Sequence, residues 1–364
     1  MKFRCERADL EKVLGTAGRA VTTRGGALPV LAGIHLELSG DQLRATGTDL
    51  DLTISVTAVV GGEEDGTAVL PSKLANDIVR AVPPGKIEVT IEGDEAHITA
   101  ARSEFSLRVI PADEFPRMAE PPESAVELDG GAFRDALKQV VKAASSDDSR
   151  PILTGVLMAA EGDGLRLVST DSYRLSVRDL PGTSVLTGEE SVLVPSRSLS
   201  ELSKVLEGDD PLTLRLGERD AAFESGDVRV STRLIEGDFP NYRGLIPASQ
   251  PNNLVVNRAE LLEAVRRVRL LAQEATPVRM MMKSGGLELV AVTQDVGQAH
   301  EAIDASYEGE ELTVAFNPEY LLDGLEVTSG DEVSLETVDA LKPAVLRSSD
   351  NPDFLYLLMP VRVS

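Results

Sequence analysis

Three stretches of the chain carry apolar residues at helical spacing. In ERADLEKVLGTAGRAV, from Glu6, residues Leu10, Val13, Leu14 and Ala17 recur three and four apart, the stripe of an amphipathic helix. Phe133, Ala136, Leu137 and Val140 repeat the stripe in DGGAFRDALKQVVKAA, and Leu261, Ala264, Val265 and Val268 repeat it in NRAELLEAVRRVRLLA. After each helix comes a proline, then an alternation of apolar and polar residues that predicts a hairpin ending near Thr-Asp. Pro29 stands 20 residues before Asp49 and Pro151 stands 20 before Asp171, whereas Pro277 stands 18 before Asp295. The segments SGDQL, EGDGL and SGGLEL supply the glycine-containing hairpin turns. A strand and a second helix follow in VLPSKLANDIVRAV, LVPSRSLSELSKVL and AFNPEYLLDGLEV. Pro71, Pro195 and Pro318 are expected in the first helical turn, where a missing N–H leaves nothing unpaired.

Helix, proline, hairpin, Thr-Asp, proline, helix thus recurs three times in one order, which predicts three divergent copies of one α+β unit. Each copy pairs two helices with antiparallel strands over about 120 residues, the size of a compact domain. The expected domains are residues 1–122, 123–250 and 251–364, joined at the polar, proline-containing EPPESAVELD and PASQPNNLVV.

Composition narrows the chemistry. No apolar run approaches the roughly 18 residues of a membrane helix, so no membrane association is expected. The single cysteine, Cys5, allows no internal disulfide. The opening MKFRCERADLEK lacks the apolar core of a signal peptide, and a cytoplasmic, nucleoid-associated location is expected. His35, His97 and His300 have no second His or Cys at ligand spacing, and no phosphate-loop, dinucleotide or nucleophile-elbow motif occurs. No cofactor and no metal are expected. The net charge of −24 argues against a nucleic-acid partner unless the basic residues are gathered on one face.

They are gathered on the helices. Arg134, Lys138 and Lys142 follow one another four residues apart, and Arg258, Arg266 and Arg269 keep close to one face, with Arg267 beside it. Lys73 and Arg80, then Arg197 and Lys204, lie seven apart on the second helices, and Arg19 and Arg24 follow the first helix. The last helix breaks the pattern with Asp323 and Glu326. Five of six helices presenting cations predict a shared surface for a polyanion, read through its phosphates and therefore without sequence preference. No aromatic platform lies nearby, which disfavours a single strand as the ligand.

Strings from the first residue to the last carry a family resemblance: MKF, LPVLAGI, TGTDL, FSLRVIPADEFP, RPILTG, STDSYRLSV, VPSR, EGDFPNYRGLIP, FNPEYLLDGL and YLLMPVR. Through them the chain resembles the bacterial DNA polymerase III β subunit, the replicative sliding clamp. The resemblance implies the DNA clamp fold and a head-to-tail homodimer whose six domains close a ring around duplex DNA. Such a ring tethers the polymerase without catalysing any reaction and raises its effective concentration at the primer end. It implies DNA contact at Arg24, Lys73 and the loop before Arg150, although Asp147 and Asp148 oppose a phosphate there; the helix faces add Arg80, Arg134, Lys138, Lys142, Arg197, Lys204 and Arg266 as expected phosphate contacts. At the dimer contact, Leu270 and Leu271 would meet Leu74, Ile78, Phe105 and Leu107 of the partner subunit.

The resemblance further implies a hydrophobic cleft that captures short peptides from the DNA polymerase III α subunit, the clamp loader, other polymerases and repair proteins. Its residues would be Leu153, Thr170, Ser172, Tyr173, Arg174, Leu175, Pro240, Arg243 and Leu245 from the second domain. The third would add Leu341, Pro343, Leu357, Met359, Pro360, Val361 and Arg362. Apolar anchors would enter Leu, Pro and Met pockets while Arg174 fixes their orientation. Ser172 and Tyr173 stand where relatives often carry Gly and His, and the tail runs on as Val363-Ser364.

Two other readings compete. An enzyme would use carboxylates such as Asp49 and Asp171, but a catalytic acid has no reason to recur at one place in all three copies. A turn-forming role for Asp171 is expected instead. An acidic scaffold binding only proteins leaves the basic helix faces without a purpose.

Overall fold

The computed structural model describes residues 1–22, 28–206, 208–272 and 276–362. Helices form where the apolar spacing places them: α1 (Arg7–Ala17), α2 (Ser72–Ala81), α3 (Gly130–Val141), α4 (Ser196–Val205), α5 (Arg258–Arg269) and α6 (Pro318–Val327). The stripes of α1, α3 and α5 are buried residue for residue as the spacing requires. Asn257 and Asn317 start α5 and α6, their side chains accepting the backbone N–H groups of Glu260 and Glu319.

Only one of the three helix prolines sits in a first turn. Pro318 opens α6, but Pro71 and Pro195 close the strands Gly66–Pro71 and Ser191–Pro195 just before α2 and α4. Pro71 is extended (φ −55, ψ 112), and a residue without an N–H is tolerated on the last rung of a strand.

The chain forms two compact units. The first is Met1–Gly131 with Glu201–Leu234 and the second is Ala132–Ser200 with Ile235–Ser364. The sequence repeat and the compact units divide the chain differently because strands pair across the repeat boundaries. In the first unit an eight-stranded antiparallel sheet is continuous from first repeat to central repeat. Its seam joins Leu52–Val59 to Val228–Arg233, with Ile54 opposite Val230 and Ser55 opposite Arg229. In the second unit a nine-stranded sheet runs from central to third repeat. There Arg174–Leu180 meets Asn351–Leu358, with Ser176 opposite Tyr356 and Val177 opposite Leu355.

Each unit also holds a smaller sheet that stops at an edge. In the first, Ser103–Arg108 is the last of five strands, paired only with Glu95–Ala100. In the second, Gly297–Ile303 is the last of four, paired only with Gly286–Thr293. Among the described residues no helix is long and apolar enough to cross a membrane.

Candidate partner cleft and nucleic-acid face

The recurring Thr-Asp is a turn. Asp171 Oδ1 accepts the N–H groups of Tyr173 at 2.9 Å and Arg174 at 3.0 Å, and Thr170 Oγ1 donates to the Arg174 carbonyl at 2.6 Å. In the first repeat Asp49 Oδ1 accepts from Asp51 and Leu52, and Thr48 Oγ1 donates to the Leu52 carbonyl. Both turns hold a residue in the left-handed region, Ser172 at φ 81 and Leu50 at φ 82, whereas the trimmed third copy puts Asp295 there at φ 61. The carboxylates of Asp49 and Asp171 are acceptors for the backbone, which leaves the catalytic reading without a feature of its own.

Beyond the turn the repeats part. Arg174 is 10 % exposed and its guanidinium is bonded within the second unit. Nε donates to Asp171 Oδ2 at 3.1 Å, Nη1 donates to Asp323 Oδ2 at 2.5 Å and to the Tyr356 hydroxyl at 3.3 Å, and the group lies 4.4 Å above the Tyr320 ring. Burial works against this charge, but Tyr356, Asp323 and Asp171 outweigh it and hold the pKa above the ordinary arginine value. Burial pushes the Tyr356 hydroxyl up as well, and that hydroxyl donates to the Tyr320 carbonyl at 3.0 Å. The Tyr356 ring lies against α6 because residue 324 is glycine: a Cβ there would come within 2.5 Å of the ring. Arg174 thus braces the strand seam against α6. Tyr320, Asp323, Gly324 and Tyr356 escaped the sequence reading, and only Tyr320 and Asp323, one helical turn apart, left a trace in it.

The cleft residues form two layers. Leu175 and Leu357 are closed from solvent in a cluster with Val168, Val177, Tyr242, Val345 and Leu355, so they are floor rather than contact surface. Thr170 is likewise buried, by its bond to the backbone. Above the floor, Tyr173 is 58 % exposed and Leu341 65 %, and Leu245 and Val361 are also exposed. Pro240 and Arg362 are exposed, Pro343, Met359 and Pro360 half-buried, and Leu153 buried at the rim. The C-terminal segment is fixed at this place by the Met359 N–H on the Tyr173 carbonyl (2.9 Å) and the Val361 N–H on the Ala315 carbonyl (2.7 Å). Arg243 is tied to Glu161 at 2.5 Å and lies over Tyr242. Tyr173 stacks towards Tyr320 at 6.3 Å between centroids, so an exposed aromatic stands on the braced arginine network. Val363-Ser364 lie outside the described residues.

The basic helix residues are exposed but accompanied. Lys138 pairs with Asp135 at 3.0 Å, Arg150 with Asp147 at 2.9 Å and Lys204 with Glu201 at 2.7 Å, while Arg80 Nε is 3.8 Å from Glu11. Ser149 and Arg150 hold the Asp147 carboxyl below its usual range. Lys142 meets Glu326 at 2.5 Å and Asp323 at 3.3 Å, and Arg266 meets Glu263 at 2.7 Å and Glu326 at 3.1 Å. Lys73 and Arg197 are exposed. Arg134, only 21 % exposed beside Asp135, is drawn into the surface rather than presented from it. Arg24 lies outside the described residues. Of the expected dimer-contact residues, Leu270 (83 % exposed), Leu74 and Phe105 are open to solvent and Leu271 is half-buried. Ile78 and Leu107 are buried in the first unit, Ile78 on the inward face of α2 and Leu107 on the same face of its strand as the exposed Phe105.

Models of the three domains of the DNA polymerase III β subunit match in succession: N-terminal at residues 1–119, central at 127–241 and C-terminal at 243–362. The chain belongs to the DNA polymerase III β subunit family. Over the full length of both chains it is 36 % identical to the β sliding clamp of Streptomyces coelicolor and 30 % identical to that of Bacillus subtilis. The crystal structure of the Bacillus subtilis DNA polymerase sliding clamp superposes over all of both chains with a TM-score of 0.91 at 30 % identity. That of the sliding clamp from Bartonella birtlesii, solved with griselimycin bound, does so at 0.93 and 31 %.

The clamp has a groove in the first unit, at the seam equivalent to the one beneath the expected cleft residues. It encloses about 1120 Å³ and is lined by His35, Arg44, Thr46, Ser55, Phe115 and Arg229, among others. The His35 and Phe115 rings stack with centroids 4.9 Å apart, and burial lowers the histidine's pKa against a smaller opposing effect of Glu37.

Proposed function

We infer that two copies of this sliding clamp join head to tail into a ring around duplex DNA. The ring tethers the DNA polymerase, makes and breaks no bond itself, and receives partner proteins through short peptides in the cleft. One observation supports the ring above others. At both repeat junctions within the chain, a strand from one repeat continues the sheet of the next. The equivalent strands at the two ends, Gly297–Ile303 in the third repeat and Ser103–Arg108 in the first, lie instead at sheet edges. Pairing the first of these with the second on another copy would build a third junction of the same kind, a heterologous contact that closes when two chains supply six repeats.

The side chains agree with that reading. At the internal junctions the first helix of one repeat sends a cation to the second helix of the next: Arg19 to Glu201 at 3.1 Å and Lys142 to Asp323 at 3.3 Å. The position equivalent to Arg19 and Lys142 in the third repeat is Leu270, and α2 of the first repeat offers the exposed Leu74. An apolar contact would replace the ion pair where separate chains must find each other. Sedimentation tests this: the native protein should run at twice the 38.9 kDa chain mass, and Leu270→Asp, which buries an unpaired charge, should run as monomer. A native monomer at micromolar concentration would refute the ring. Retention on nicked circular DNA, with loss on linearisation, should follow the dimer and disappear with it.

A further inference from the structure

The three second helices align at Pro71, Pro195 and Asn317, the residue before each. Two residues on stand Lys73, Arg197 and Glu319; nine on stand Arg80, Lys204 and Glu326. The charge is therefore inverted in α6 at the two positions where α2 and α4 carry cations. Between them Asp77, Glu201 and Asp323 are acidic in all three. Inside the second unit the inverted residues reach the cations of the neighbouring helices. Glu326 lies between Lys142, just after α3 (2.5 Å), and Arg266 of α5 (3.1 Å), which Glu263 also meets at 2.7 Å, and Glu319 pairs with Arg269. Asp323 divides its carboxylate between Lys142 and the buried Arg174. Bonds from Lys142 and then Arg266 hold the Glu326 carboxyl below its usual range against the opposing effect of burial, so it stays charged between them. All three cations are at least a third exposed, so a phosphate can reach them.

We propose that Glu326, supported by Glu319, is an internal competitor of DNA phosphate: it occupies Lys142 and Arg266 until a phosphate takes its place. Each phosphate contact on this part of the surface then exchanges one anion for another instead of filling a vacancy, which keeps the grip loose where a sliding ring must not hold on. The inference rests on the DNA-contact reading above, and it names Glu326 as a positioning residue that sets the strength of that contact.

The test is binding of the intact protein to a short linear duplex by fluorescence anisotropy over a salt series. Compared with the native chain, Glu326→Gln should bind about 3- to 10-fold more tightly at low salt. Its log–log salt slope should steepen by about one to two, as expected when one or two more cations release counterions. Asp163→Asn, at an exposed turn, changes the net charge equally and should leave both quantities at the native value. Equal gains from the two variants, or an unchanged slope in Glu326→Gln, would overturn the competitor role while leaving DNA contact standing. Absence of salt-dependent binding in both native protein and Glu326→Gln would overturn the DNA-contact reading together with it.

Discussion

The two seams within the chain share a backbone plan and differ in what lines it. Counted from Pro29 and Pro151, His35, Thr46 and Ser55 occupy the places of Leu157, Val168 and Val177. Across the seam Arg229 faces Ser55 where Leu355 faces Val177. One seam consequently encloses a polar groove with a stacked histidine; the other closes over an apolar floor on which exposed Tyr173, Leu245 and Leu341 are mounted. Apolar anchors gain from burial only where the surface they displace water from is itself apolar. The comparison teaches that the fold repeats the site while side chains decide which copy is suited to a peptide.

The sharpest break in the comparison is at Arg174, whose counterpart in the first repeat is Leu52. Arg174→Ala removes the cation that Asp171, Asp323 and the Tyr356 hydroxyl share, each of which keeps another partner, and should cost about 1–3 kcal/mol in chemical denaturation. It should also weaken a fluorescent clamp-binding peptide by loosening the support of Tyr173. Exchanging floor residues comes next. Val168→Thr should destabilise by about 1–2 kcal/mol, because a hydroxyl enters a site with no partner prepared for it. The reverse exchange should be nearly neutral if made as a pair, Thr46→Val with Ser55→Val, since their hydroxyls bond each other at 3.0 Å and leave together. Smaller still, Ser172→Gly should stabilise by about 0.5–1 kcal/mol by relieving the left-handed turn. Leu50→Gly should relieve the first repeat's turn in the same way, offset by the apolar contact it loses.

The least effect is expected from pH between 7 and 5, and of the two seams it belongs to the polar groove. His35 binds its proton less readily when folded than when unfolded, because burial disfavours the cation. The unfolded state therefore takes up more protons as pH falls, and the associated stability is present above an unfolded histidine pKa of about 6.5 and lost below it. Denaturation midpoints at pH 7 and pH 5 should differ less in His35→Leu, the residue type of the equivalent cleft position, than in the native chain.

The three-fold repeat was legible because helix stripes, prolines and Thr-Asp turns are local and evenly spaced. Burial of the stripes followed from the same periodicity. What stayed illegible was the company each polar residue keeps. Nothing near Arg174 in the sequence announces partners 149 and 182 residues away, so its bracing role could not be read there. The cations of α3 and α5 read as one basic face because their spacing is a property of one helix, whereas the carboxylates that meet Lys142 and Arg269 come from α6. Ile78 and Leu107 were assigned to a surface for a related reason: an apolar residue on α2 or an edge strand fits core and interface equally well until neighbours are placed.

The edge strand at each end has a further consequence, for the chain on its own. An open row of backbone N–H and C=O groups is a template for any extended segment, and proteins guard such edges with charge. Glu104 and Arg108 stand on one edge, and on the other Glu301 is held by Arg267. These are modest guards for strands that also carry Phe105 and Ile303. A chain on its own is thus most open to misassociation at these two strands, and the second copy that the proposed ring seats there would shield them.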